Sequence, residues 1–159
     1  MQFSGPPLIA VATGIVGSAW ASGAIVSFSV AAPAAKAVPQ TTAKVWSELY
    51  ARGSSIMPKV ASVVALSYAY AAYDVSARGG RWAGFAAAAA AVLSIVPFTL
   101  TCMSNTNAAL HKAAADAPDG PAAAAVPDLI DTWSLMNLAR GLFPLVGTVL
   151  GLSTFLANA

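Results

Sequence analysis

The stretch FAAAAAAVLSIVPFTLTCMSNTNAAL, Phe85 to Leu110, runs 26 residues without one charged side chain. About 20 predominantly apolar residues cross a bilayer as a helix, so this length and composition read as a membrane span. A soluble alanine-rich helix is the alternative reading. Such a helix in a soluble bundle carries a charged stripe along its outer face, and this stretch has none. Leu8 to Pro33 is equally free of charge.

The same criterion applied along the 159 residues finds four spans, at about 8-32, 56-74, 82-111 and 132-156. Only 9% of residues are charged, against about 25% in ordinary soluble domains. The expected fold is therefore all-α, an integral membrane four-helix bundle forming a single transmembrane domain over 1-159. The first apolar segment has no basic residue before it and exceeds a secretion-signal core in length, so it reads as a retained span.

Local signals refine this outline. Ala10, Gly14, Ser18 and Ser22 recur every four residues on span one, a flat surface that suits close helix packing and needs no chemistry to explain it. Pro33 and Pro39 end that span. Thr41 to Gly53 is too polar to cross, with Lys44, Trp46, Glu48, Tyr50 and Arg52, and is expected as a short amphipathic segment between spans one and two. Pro97 is expected to kink span three or open its hydrogen-bond ladder one turn back. A loop from Ala113 to Pro127 follows, with Asp131 or Thr132 as the cap of span four. Five basic residues fall on the side of the first and third loops and two, Arg78 and Arg81, on the other, which favours cytosolic first and third loops.

Polar groups inside the apolar blocks mark the candidate site. An arginine at the bilayer centre costs roughly 2.5 to 3.5 kcal/mol on an insertion scale, so such residues face a protein interior. Thr99, Met103, Asn107 and His111 share one face of span three, with Asn105 and Thr106 beside them. Trp133, Asn137, Arg140 and Pro144 form a stripe on span four. Antiparallel neighbours joined by one loop bring His111, Asn107, Trp133, Asn137 and Arg140 to a common depth. Snorkelling of the long side chain toward the interface accounts for Arg140 alone, and interhelical bonding accounts for Asn105 and Asn107. Histidine as a residue type exchanges protons near neutrality, so His111, the only one, is a candidate base. Glu48, the only glutamate, is a second. A helix-end histidine at the interface is the structural alternative.

Other chemistries lack their parts. One histidine, one cysteine and no buried carboxylate pair cannot build a zinc, copper or di-iron site. No glycine-rich nucleotide fingerprint is present, and one histidine leaves only haem open by ligand count. The net charge of +2 is scattered, with no basic stripe for nucleic acid.

Four pieces taken together, Trp46-x-x-Leu49-Tyr50-x-x-Gly53 with Pro58, Pro97-Phe98-Thr99, Met103-x-x-Thr106-Asn107-x-x-Leu110 and Trp133-x-x-Met136-Asn137-Leu138-x-Arg140-x-x-x-Pro144, resemble the anthrone oxygenase family, small four-span membrane proteins of fungal aromatic polyketide pathways. Asn105 departs from the proline frequent there, and His111 is not a hallmark of that pattern. The resemblance implies oxidation of an anthrone to the anthraquinone by O2 as co-substrate, without cofactor or metal, in an intracellular membrane of a fungus. It implies an aromatic polyketide and the lipid bilayer as partners. On it, Asn107, Asn137 and Arg140 hold an oxyanion, His111 takes a proton, and Trp133, Thr106, Met103, Trp46, Tyr50 and Thr99 contact the substrate. A homo-oligomer completing the site between protomers is compatible with helices this thin. The competing expectation is a non-catalytic membrane adaptor or scaffold that uses the small-residue face of span one; a small transporter ranks below both, for lack of repeat symmetry.

Overall fold

A computed structural model describes residues 3–116 and 120–159. Four of its helical segments, Gly5–Ala37, Pro39–Ala77, Ala83–Cys102 and Ala123–Leu156, are long and apolar enough to cross a membrane. They stand in a ring: the first helix packs on the second and fourth, and the third closes the ring between the same two.

Helix α1, Gly5–Ala31, starts with Pro6 and Pro7 in its first turn, where a missing N–H leaves no bond unmade. It gives way at Ala32 to two 3-10 turns, Ala32–Ala37 and Pro39–Thr41, each entered through a proline as expected. Helix α2, Thr42–Ala77, is 36 residues long. The amphipathic segment is thus not set apart from span two; it is the first third of the same helix. Pro58 gives up only the one bond that its N–H would have made to Ser54, and the helix passes through it. At 1.5 Å per residue α2 measures about 54 Å, well over the roughly 30 Å of hydrocarbon. Its Lys44, Trp46 and Glu48 end therefore projects to the water side.

The third rod is broken twice, into α3 (Ala83–Leu93), α4 (Ile95–Cys102) and α5 (Ser104–Ala115). The break at Ser94 lies one turn before Pro97, where that proline leaves a carbonyl without its N–H. The break at Met103 had no signal in the sequence. The Met103 side chain is fully buried between the rods, and the chain turns about that anchor. Helix α6, Val126–Leu156, begins six residues before the expected start of span four. Its N-cap position is Ala125 rather than Asp131 or Thr132; Pro127 suits its first turn, and Asp128 there faces the positive end of the helix dipole. The expected Ala113 to Pro127 loop falls partly on residues 117–119, outside the described residues. What is described of it includes the end of α5 and a 3-10 turn at Ala123–Ala125.

Two apolar clusters fill the ring. One contains Val11, Val64, Tyr68, Phe85 and Val92. Its depth depends on glycine: a Cβ at Gly14 would lie 2.7 Å from Cε1 of Tyr68, and one at Gly151 would lie 2.5 Å from the same atom. The Tyr68 hydroxyl, fully enclosed, donates to the Gly147 carbonyl at 3.1 Å and pairs with Ser18 Oγ at 3.0 Å. The other cluster, at the opposite end, gathers Trp46, Met103, Leu110, Ile130 and Trp133. The outer surface is apolar, with Leu66, Leu100 and Leu135 each about 70% exposed, as a lipid-facing surface requires.

Candidate active site

Between the two clusters lies a polar layer built from α1, α4 and α6. Asn137 is fully buried. Its Nδ2 donates to the Ile25 carbonyl at 2.8 Å and to Ser29 Oγ at 2.9 Å, both on α1. Its Oδ1 accepts from Arg140 Nη2 one turn along the same helix. The other arm of the guanidinium, Nη1, donates to Thr99 Oγ1 on α4 at 3.0 Å, and Thr99 in turn donates to the Ile95 carbonyl at 2.7 Å. Arg140 is thereby aimed by two neutral oxygens. Its Nε is buried without a partner, and no carboxylate pairs with it among the described residues. A cation held in a low-dielectric layer with neutral partners only is poised for an anion.

The guanidinium forms part of the wall of a cavity of about 180 Å³. Ile25, Phe28, Met57, Ile95 and Val96 make most of that wall apolar, and Tyr50 and Trp133 supply flat aromatic surface. Trp133 is 3% exposed, and its indole N–H meets no acceptor among the described residues. The volume is slightly more than the roughly 150 Å³ that takes up benzene in an engineered apolar cavity, so one ring fits inside and a larger aromatic extends through the opening.

Beside the cavity stands an aromatic cluster. Trp46 stacks on Tyr50 at 5.1 Å between centroids and meets Trp133 edge-on at 5.8 Å. His111 packs against both Trp46, at 4.9 Å, and Tyr50, at 5.0 Å. Tyr50 belongs to both groups: it lines the cavity and touches His111.

Of the residues expected at the site, Tyr50, Thr99, Trp133 and Arg140 line the cavity, and Asn137 stands one hydrogen bond behind it. Trp46 and Met103 are buried in the adjoining cluster. His111 is exposed, packs against the Trp46 and Tyr50 rings, and does not line the cavity. Asn107 is buried on α5, its Oδ1 without a partner among the described residues, and neither it nor the half-buried Thr106 lines the cavity. The break at Met103 explains this, since it ends the straight face on which Thr99 and Asn107 would have been aligned. Glu48 is exposed. Sequence reasoning missed Ser29 and the Ile25 carbonyl, which orient Asn137, and Met57 and Phe28 in the wall. Ser29 did carry a signal, because it prolongs the small-residue face of α1 one turn past Ile25.

Fold and site together define a multi-pass membrane protein with an apolar cavity and a guanidinium within the bundle. The anthrone oxygenase family pattern matches residues 46–150, and the chain belongs to that family. It is 37% identical over 117 residues to the monooxygenase hypC of Dothistroma septosporum, covering 72% of this chain and 63% of that protein's length. It is 32% identical over 159 residues to the anthrone oxygenase encC of Aspergillus fumigatus, covering 87% of each. It is 32% identical over 110 residues to the noranthrone monooxygenase of Aspergillus flavus, covering 67% of this chain and 52% of the relative. No solved structure matches the chain.

Proposed function

We propose that this protein is a membrane oxygenase that converts an anthrone-type polyketide to the anthraquinone with O2, without a cofactor. The observation that carries the proposal is Arg140, a guanidinium with only neutral partners in the wall of an otherwise apolar cavity. An anthrone becomes an anion when its doubly benzylic methylene loses a proton. The charge delocalises onto the ring oxygen, and that oxygen is what Arg140 would hold. A preorganised donor aimed at charge that develops only as the reaction proceeds accelerates it, by roughly 10²- to 10³-fold for a single oxyanion-hole donor.

The substrate then supplies the electrons. Its anion passes one electron to O2, the carbon radical and superoxide combine to a peroxide, and protonation followed by loss of water leaves the quinone carbonyl. One O2 enters, one water leaves, and the proton released first is returned to the peroxide. That proton moves toward the water side, where Tyr50 lines the cavity and His111 packs against it. In this reading His111 holds the proton, relayed through Tyr50, until the peroxide takes it back, with Trp133 and Tyr50 against the ring faces. Relatives named anthrone oxygenase and noranthrone monooxygenase support the same assignment.

The adaptor reading called on the small-residue face of α1. That face is occupied within the bundle: Gly14 fits against Tyr68, Ser18 pairs with Thr148 Oγ1 at 2.9 Å, and Ser22 donates to the Gly141 carbonyl at 2.8 Å. The deciding experiment follows anthraquinone formation from an anthrone in membranes containing the protein, in air and under nitrogen, against Arg140→Ala membranes. Oxygen-dependent turnover above the variant is the expected result. Equal rates, with both proteins folded, would remove the enzymatic reading.

A further inference from the structure

We infer that the cavity takes in its ligand sideways, from the acyl-chain region of the bilayer, through a window between α2 and α4. Four observations place it there. Helix α3 packs along α2 and α5 returns to it, whereas α4, between the breaks at Ser94 and Met103, packs on α6 and has no comparable packing on α2. The cavity lies in the gap so formed, with Ser54 and Pro58 of α2 and Val96 and Leu100 of α4 among its lining residues. All four are exposed at the outer surface, Leu100 at 70% and Val96 at 43%. Helix α4 falls wholly within Ala83–Cys102, a helical segment apolar and long enough to cross a membrane, so the α4 side of this rim faces hydrocarbon.

Sequence explains why the window is held open. Pro97 relaxes the third rod at Ser94, and Met103 anchors it again where α5 turns back toward α2. Opposite them Gly53 presents no side chain, and a Cβ built there would meet only Phe28, at 3.8 Å. The water-side end is closed by contrast, because Trp46 and Met103 are fully buried there and Trp133 nearly so. An apolar ligand dissolved in the bilayer reaches this opening without passing through water, and the direction of entry brings its leading end to Arg140 and Trp133. The oxidised product leaves by the same gap. The route rests on the proposed function only for the identity of its passenger.

The test separates the two. In a Cys102→Ser background, which removes the one native thiol, Met57→Cys places a thiol on the cavity wall at a side chain that is 9% exposed. Protein in lipid nanodiscs is treated with N-phenylmaleimide, which partitions into lipid, or with a sulfonated maleimide, which stays in water. The thiol is expected to react with the first and to resist the second. Adding Leu100→Trp should slow the apolar reaction about tenfold or more, Leu100→Ala should hasten it, and Leu135→Trp, on the lipid face of α6 away from the window, should leave it unchanged. The sulfonated reagent reacting as fast as the apolar one, or Leu100→Trp behaving like Leu135→Trp, would overturn the window. Labelling that follows the expected pattern in a protein that oxidises no anthrone would uphold the window and remove the anthrone reading alone.

Discussion

Thr99 Oγ1 on α4 accepts from Arg140 Nη1 on α6 at 3.0 Å, and so ties the guanidinium across the bundle to the helix that borders the window. The other tie, to Asn137, lies on Arg140's own helix. With one support in cis and one in trans, the position of the guanidinium depends on where α4 sits, and α4 sits between two breaks.

Arg140→Ala is expected to lower kcat for anthrone oxidation by about 10²- to 10³-fold, the range for loss of one preorganised oxyanion donor. Arg140→Lys keeps the charge but cannot reach Thr99 and Asn137 at once with a planar fork. A loss of about tenfold or more in the lysine variant, measured on folded protein in nanodiscs, would establish that geometry and not charge alone is required.

Thr99→Val removes the trans support and keeps the shape. A hydrogen bond to a charged group is worth about 1.5 to 3 kcal/mol, so kcat should fall by about tenfold or more while KM changes little. Thr99→Ser should restore most of the rate. Full activity in the valine variant would show that Asn137 alone suffices to aim Arg140.

Asn137→Leu removes the donor to Ser29 Oγ, which keeps its own bond to the Ile25 carbonyl, and the acceptor of one arm of Arg140. Interhelical bonds within membranes average about 0.6 kcal/mol and reach about 1.7, so a loss of stability near the upper figure is expected, together with loss of activity. Ser29→Ala should cost less on both counts. Unfolding in mixed detergent micelles measures the first, and turnover the second.

The four spans were legible because hydrocarbon admits so few alternatives: a charge-free block such as Phe85 to Leu110 has one stable arrangement. The Ser94 break was legible too, since Pro97 has a local and direct effect on the ladder. The shape of the site was less so. Arg140, Asn137, Thr99 and Trp133 could be named from spacing, but their alignment with Asn107 and His111 assumed a straight third helix, and the Met103 break that ends it arises from burial against other helices. No residue at that point announces it. The continuity of α2 was hidden for another reason: the polarity of Thr41 to Gly53 shows that this segment does not cross the bilayer, but it does not end the helix that does.

Gly151→Ala should separate folding from chemistry. The added Cβ would lie 2.5 Å from the Tyr68 ring, in a wall with no room to yield. Overpacking of this kind costs typically about 1 to 3 kcal/mol, so a lowered unfolding midpoint is expected. Neither Tyr68 nor Gly151 lines the cavity, so the folded fraction of Gly151→Ala should keep its specific activity. A fall in specific activity at unchanged stability would place the Tyr68 cluster in the reaction.

The route of the proton is decided by a pair of substitutions. Tyr50 lines the cavity, whereas His111 reaches it only through contact with Tyr50 and Trp46. If the proton passes from substrate to Tyr50 and on to His111, the two act in series, and removing either one breaks the same path. Tyr50→Phe and His111→Gln should then each lower kcat, and the double variant should be no slower than the worse single one, the non-additivity expected of residues acting as a unit. Losses that multiply would assign them separate tasks, with Tyr50 as a wall for the ring and His111 as an independent base. An unchanged rate in His111→Gln with a large loss in Tyr50→Phe would end the path at Tyr50 and leave His111 as part of the aromatic packing at the water-side end.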